Sequence, residues 1–177
     1  KVKTDKRDSI SIANYGIDKW FNLRRFDAQE DIYAELKLLG RQYRFFMESR
    51  IEHLLNLTHL LDYTMPGVKS CFGGWSETSG KDKLCDFVEE YWHYDNITKR
   101  SESKFVEHYQ KWAKKKGYHQ SESKAIQIYR LAREGIPTIP SNTPSTKMLL
   151  LEAVKALREV NGALFAILTR MQELARG

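Results

Sequence analysis

The last long stretch of the chain, MLLLEAVKALREVNGALFAILTRMQELAR at residues 148–176, has the clearest periodicity in the sequence. Residues spaced alternately four and three apart form one seam, as in a coiled-coil helix. The seam positions are Leu150, Val154, Leu157, Asn161, Leu164, Leu168 and Met171. Asn161 is the polar member, and an asparagine at such a position is typical of seams that fix register and oligomer state. The stretch therefore predicts a heptad helix that pairs with another helix.

A second long helix is predicted at residues 27–61, which contain no proline and follow a plausible N-cap at Asp27. Its apolar residues share the four-three spacing, and the apolar face broadens in the second half, which favours a bundle over a two-stranded zipper. The two long helices can pack antiparallel within one chain, the heptad helix can pair with its copy in another chain, or both can combine in a four-helix arrangement. The seam asparagine favours an oligomer.

The residues between the two long helices predict a small helical insert. Met65-Pro66-Gly67 ends the first long helix, because proline and glycine together cannot continue it. Serines open the last two insert helices, and Gly117 and Gly135 lie just past helix ends. The three insert helices are predicted at about 81–94, 101–116 and 121–134.

These features predict an all-α fold of long antiparallel coiled-coil helices with a small helical insert at the tip, assembled into an oligomeric bundle. A separate amino-terminal part with its connector is expected at 1–26, and the coiled-coil domain at 27–177. Within that domain we expect the long helix 27–61, the insert 68–135, a proline-rich connector 136–147 and the heptad helix 148–176.

Composition limits the classes of protein that the chain can belong to. The 177 residues carry a formal charge of +6, which favours an anionic partner, most simply nucleic acid. Cys71 and Cys85 are the two cysteines, too few for a disulfide framework or a structural zinc site, so we expect free thiols. No apolar run is long enough to span a membrane, and no signal peptide is recognisable, which predicts a cytoplasmic protein.

The amino-terminal motif Lys3-Thr4-Asp5-Lys6-Arg7-Asp8-Ser9 places two acids three residues apart and leads into an apolar helical pattern. A helix is predicted at about residues 4–15, with Gly16 as its left-handed cap. On such a helix Asp5 and Asp8 share a face and are close enough to hold one hydrated divalent cation. Alternatively, both are ordinary first-turn acids that the helix dipole favours.

Three groups of cations are candidates for contacts with a nucleic-acid backbone. Lys3, Lys6 and Arg7 flank the two acids, Arg24 and Arg25 lie in the aromatic connector that follows, and Lys114, Lys115 and Lys116 end an insert helix. The helices joined near Gly117 resemble a helix-turn-helix, but such hairpins are generic, and lysines at a helix end also complement its dipole.

The order of these features resembles the middle of the DEDD-type insertion-sequence transposases of the IS110 kind, relatives of the Piv DNA invertase. The resemblance rests on the Lys3 to Ser9 motif, an Ile-Ala helix, an arginine-bearing connector, a long helix ending near Met65-Pro66-Gly67, the insert and the returning heptad helix. It covers essentially all 177 residues in order. Ser9 departs from the family pattern, which usually has alanine at this position.

The resemblance implies that Asp5 and Asp8 are the last two acids of a tetrad that binds Mg²⁺ in a RuvC-like catalytic domain. It also implies that residues 1–26 are the tail of that domain and that the coiled coil joins protomers. DNA is the implied substrate, and some members of the family are directed by a structured RNA. The strands of the first two acids and the nucleophilic serine are not found in this sequence, so we expect a piece of a longer enzyme that is inactive alone.

Two other functions are compatible with the sequence. The chain can be an independent basic helical protein that binds DNA or RNA, in which Asp5 and Asp8 only begin a helix. It can also be an oligomerisation scaffold whose heptads bind protein and have no other role.

Overall fold

The computed structural model describes residues 5–18 and 28–176, and it describes side chains at residues 9–15, 17 and 31–176. The described residues contain no β-strand, which confirms the predicted all-α class. The chain divides into two compact units, Lys1–Lys37 and Leu38–Gly177. The helices are α1 Asp5–Asp18, α2 Ala28–Thr64, α3 Lys83–Tyr91, α4 Asp95–Thr98, α5 Glu102–Lys116, α6 Glu122–Glu134 and α7 Pro144–Arg176.

Both long helices form, and each extends beyond its predicted bounds at one end. The helix α2 runs without a break to Thr64 and stops where Pro66 and the left-handed Gly67, at φ 81°, follow. The helix α7 begins at Pro144, four residues before the predicted start. Proline suits a first helical turn, because its missing N–H would have no partner there and its φ angle is already helical.

The predicted end of the first helix is wrong. We expected Gly16 to cap the helix, but α1 continues through Gly16 to Asp18. Glycine inside a helix costs only about 1 kcal/mol, which neighbouring turns offset. Residues 19–27, with the connector arginines Arg24 and Arg25 and the predicted cap Asp27, lie outside the described residues.

The first insert helix, predicted at 81–94, is divided in the structure. Asp82 caps α3 by accepting hydrogen bonds from two backbone N–H groups of its first turn. Trp92, at a positive φ of 20°, ends α3 before the single turn of α4. A strained angle at a bulky residue cannot continue a helix, so the periodic pattern is interrupted there.

The predicted caps of the last two insert helices are confirmed in part. Ser121 accepts a hydrogen bond from the backbone of Lys124, whereas Ser101 occupies the N-cap position without a side-chain bond. Gly117 adopts the left-handed conformation at φ 74°, but Gly135 is extended at φ −71°. The repeated Ser-Glu-Ser-Lys segments therefore begin their helices in different ways.

An aromatic cluster forms the centre of the insert core. Phe87 lies 4.6 Å from Tyr91 and 5.9 Å from Trp112, measured between ring centroids, and Tyr91 lies 5.5 Å from Phe105. Such tilted and edge-to-face pairs stabilise a core beyond the area that they bury. Both cysteines are buried free thiols, as predicted.

The insert lies beside α7 and is not confined to the tip of the long helices. Asp82, just before α3, accepts a hydrogen bond from Asn161 of α7, while Trp92, just after α3, lies 5.7 Å beneath the ammonium of Lys147. The helices α3 and α7 therefore run antiparallel. The loop before α3 reaches as far as Tyr43, whose hydroxyl donates to Glu77.

Along residues 5–18 and 28–176, no helix combines the length and apolar character needed to cross a bilayer.

Candidate metal, seam and nucleic-acid sites

The two motif acids lie in the first turn of α1. Asp5 is its first residue and Asp8 follows three positions later, so the helical backbone places them about one turn apart on the same side. Lys6 and Arg7 lie in the same turn, and Lys3 is outside the described residues. Among the side chains that the structure describes, which exclude those of residues 5–8, no three possible metal ligands come together.

Asn161 is buried, as its seam position predicted, and both ends of its amide have partners within the chain. Its carbonyl oxygen accepts a hydrogen bond of 2.8 Å from Nε of Arg50 on α2. Its amide nitrogen donates to Oδ2 of Asp82 over 3.2 Å. The same carboxylate oxygen lies 3.8 Å from Nη2 of Arg50. These three side chains, the Asn161 network, join α2, α7 and the N-cap of α3.

The seam of α7 is buried unevenly. Its first part packs within the chain, as Leu150, Val154, Leu157 and Leu164 are each at most 2% exposed. Leu168 and Met171, in the last turns, are only half-buried. The position of Asn161 in the seam does not require a second copy, because its hydrogen bonds are already made. Oligomerisation stays a prediction.

The three lysines of the predicted run, Lys114 to Lys116, differ in exposure and in their contacts with acids. Lys114 and Lys115 are exposed. The ammonium of Lys116 lies 3.7 Å from Asp86 and 3.9 Å from Glu89 of α3. Hydrogen bonds from Arg158 lower the pKa of the Glu89 carboxyl, with Lys116 contributing less. Lys116 therefore serves at least in part as an internal counter-charge.

A further group of lysines gathers around Tyr118, and sequence analysis missed it. The ammonium groups of Lys81 and Lys83 lie 5.5 and 5.3 Å from the centre of the Tyr118 ring. That of Lys83 also lies 5.4 Å from the Tyr109 ring. Burial lowers the pKa of Lys83, and the charge of Lys124 lowers it further. Lys83 and Tyr118 are 35 positions apart in the sequence, so no local pattern links them.

Comparison with known proteins finds a transposase match in the first part of the chain. Residues 1–66 match the family model of the DEDD transposases of the IS110 type. The match spans the motif, the connector and α2, and over these residues it supports the resemblance to an IS110-type transposase fragment. Enzymes of this family act on DNA and are generally metal-dependent. No curated protein and no solved structure matches the chain.

Proposed function

We propose that the chain is the linker and dimerisation module of a DNA transposase, and that it carries at Asp5 and Asp8 the last two acids of the catalytic DEDD tetrad. The observation that supports this most directly is the family match over residues 1–66, which runs without a break from the motif through α1 into α2. This continuity supports an arrangement in which the motif region leads directly into the first long helix.

The spacing of the two acids fits half of a magnesium site. Mg²⁺ takes six oxygen ligands, and carboxylates one helical turn apart supply ligands on one side of it. Asp5 and Asp8 would hold the ion together with water and the other acids of the catalytic domain. When bound, the ion polarises the phosphodiester and neutralises the charge that develops during strand transfer. Lys3, Lys6 and Arg7, with Arg24 and Arg25 of the connector, would contact the DNA backbone near it.

The exposed side chains of α1 are consistent with a place at the edge of a larger domain. Ile10, Ile12, Tyr15 and Ile17 are each more than half exposed. Large apolar side chains in this density on one short helix are typical of a surface that another part of the protein covers. The remainder of the catalytic domain is the proposed cover.

The contacts between α2 and α7 support an antiparallel coiled coil. Arg50 of α2 pairs with Asn161 of α7, while Thr64, further along α2, lines a small apolar cavity with Thr146 and Leu150, earlier in α7. The order of contacts is reversed between the helices. The half-buried Leu168 and Met171 lie beyond this zone, and they are the proposed contacts between two copies.

The catalytic part of the proposal is tested in the full-length transposase that contains this chain. Asp5→Asn and Asp8→Asn should each abolish Mg²⁺-dependent recombination, a loss of roughly a thousandfold or more, because the metal loses an anionic ligand. Asp31→Asn, an exposed acid on α2 within the matched region, is the control and should retain activity. Calorimetric Mg²⁺ titration gives a readout that does not depend on activity, since affinity should fall in the two variants and not in the control.

Recombination that survives both substitutions would refute the catalytic assignment. The hypothesis of an independent nucleic-acid-binding protein, or of a scaffold, would then be preferred, because neither requires the two acids.

A further inference from the structure

Three lysines from two parts of the insert come together at one surface. Lys81 precedes α3, Lys83 is the first residue of α3, and Lys124 lies in the first turn of α6. Lys81 and Lys83 share the Tyr118 ring, and the charge of Lys124 is near enough to lower the pKa of Lys83. We call these three residues the Tyr118 lysine patch.

The acids beside the patch, Asp82 and Asp86, act on Tyr118 and do not pair with the three lysines. In the part of the chain that the structure describes, Lys81, Lys83 and Lys124 form no ion pair with a carboxylate, unlike Lys116. Asp82, between the first two lysines in sequence, turns away to cap α3 and to bind Asn161. Like charges held close together repel, so a bound anion would relieve an unfavourable arrangement.

The patch is held in position before any partner binds. The hydroxyl of Tyr118 donates to Asp86 over 2.7 Å, which fixes the ring between the lysines and the body of the insert. The ammonium of Lys81 also donates to the backbone carbonyl of Lys116 over 2.9 Å. Cation–π and hydrogen-bond contacts restrict these long side chains, so less rotamer freedom is lost when they bind an anion.

We propose that the Tyr118 lysine patch binds the phosphate backbone of double-stranded DNA. The choice of DNA rests on the proposed function, and the choice of a duplex rests on the rings. Binding of single strands depends on aromatic faces on which bases stack. Tyr109 is fully buried, and Tyr118 has ammonium groups over its ring and Trp112 at 5.8 Å. Neither ring offers a free face, which leaves charge as the means of recognition.

The proposal is tested on the whole 177-residue chain by fluorescence anisotropy with a duplex of about 20 base pairs, titrated with salt. In Lys81→Gln/Lys124→Gln the plot of log affinity against log salt should become shallower by about 1.8, since each phosphate contact contributes roughly 0.9 to the slope. The same slope corresponds to a loss of about thirtyfold at 0.15 M salt. The matched control is Lys104→Gln/Lys155→Gln, which removes two exposed lysines and should change affinity less than about twofold.

Several results would overturn the proposal. Equal losses of affinity in the patch and control variants would indicate diffuse electrostatic attraction. An unchanged slope of log affinity against log salt in the patch variant would exclude phosphate contacts by these lysines. Absence of duplex binding at low salt would exclude double-stranded DNA as the partner. Tighter binding to a single-stranded RNA of the same length would reassign the partner to RNA. Circular dichroism checks folding; should the double variant unfold, Lys124→Gln alone must lower the slope by about 0.9.

The two proposals fail independently. If duplex binding does not depend on the patch lysines but recombination depends on Asp5 and Asp8, only the patch proposal is refuted. If duplex binding depends on the patch lysines but recombination survives the aspartate substitutions, only the catalytic assignment is refuted.

Discussion

Replacing Asn161 with leucine tests whether this seam position stabilises the chain internally or selects an oligomer. The substitution removes the 2.8 Å hydrogen bond from Arg50 and the 3.2 Å hydrogen bond to Asp82. The side chains of Arg50 and Asp82 are only 12% and 6% exposed, so water cannot fully replace the lost partner. Arg50 then keeps the ion pair of 3.8 Å with Asp82 and the Trp75 ring at 5.7 Å, while Asp82 keeps that ion pair and its two cap hydrogen bonds from Leu84 and Cys85.

The expected loss follows from the two bonds. Hydrogen bonds to charged groups contribute roughly 1.5–3 kcal/mol each, or about 3–6 kcal/mol together. Burying the leucine side chain returns about 1.5–3 kcal/mol. We therefore expect Asn161→Leu to lower the free energy of unfolding by about 2–3 kcal/mol, without a change in oligomer state.

The assay is urea unfolding followed by circular dichroism, with sedimentation velocity at several concentrations. The control Asn56→Leu makes the same chemical change at an exposed position of α2 and should stay within about 0.5 kcal/mol of the parent. Arg50→Met combined with Asn161→Leu should cost less than the sum of the single changes by about 1 kcal/mol or more, because the residues share one network. Full additivity, or a changed oligomer state at undiminished stability, would refute the reasoning.

Two further predictions concern the end of α7 and the pH dependence of stability. Leu168→Ser/Met171→Ser should raise the dissociation constant of a dimer at least roughly tenfold in sedimentation equilibrium. The control Met148→Ser changes an exposed residue at the other end of α7 and should leave that constant unchanged. Equal dissociation constants in the two variants would exclude this part of the seam from the interface. Burial, followed by the charge of Arg100, lowers the pKa of His108, whose Nδ1 lies 2.8 Å from the Tyr91 hydroxyl. Folding thus favours the neutral imidazole, so its contribution to stability is present above the ordinary pKa of 6.5 and is lost as pH falls through the lower folded pKa. The fall in unfolding free energy from about pH 7 to pH 5 should be smaller in His108→Asn, and an identical fall would contradict the assignment.

Helix positions were accessible from the sequence because they depend on local signals. Apolar spacing and the absence of proline located α2, and Pro66 with Gly67 located its end within three residues. The division at Trp92 was missed, since it results from a single strained φ angle that packing imposes. Gly16 was misjudged because a glycine can either cap a helix or be carried inside one.

The site residues, too, could be predicted from the sequence only where local spacing indicates them. The motif acids Asp5 and Asp8 are only three positions apart in the sequence, so their spacing and the family resemblance could be recognised without a fold. The partners of Asn161 lie 79 and 111 residues away, and nothing local indicates them. The same holds for the Tyr118 lysine patch, in which Lys124 lies 41 residues beyond Lys83.

The sequence by itself determined the all-α class, the two long helices, the burial of most of the heptad seam and the transposase motif, because each is recorded in the order and spacing of neighbouring residues. Only the tertiary structure decided that the insert lies beside α7, that Lys116 balances Asp86 and Glu89, and that Asn161 is satisfied within its own chain. The physical reason is that a buried polar group must find a partner somewhere, and the fold alone determines which distant residue supplies it.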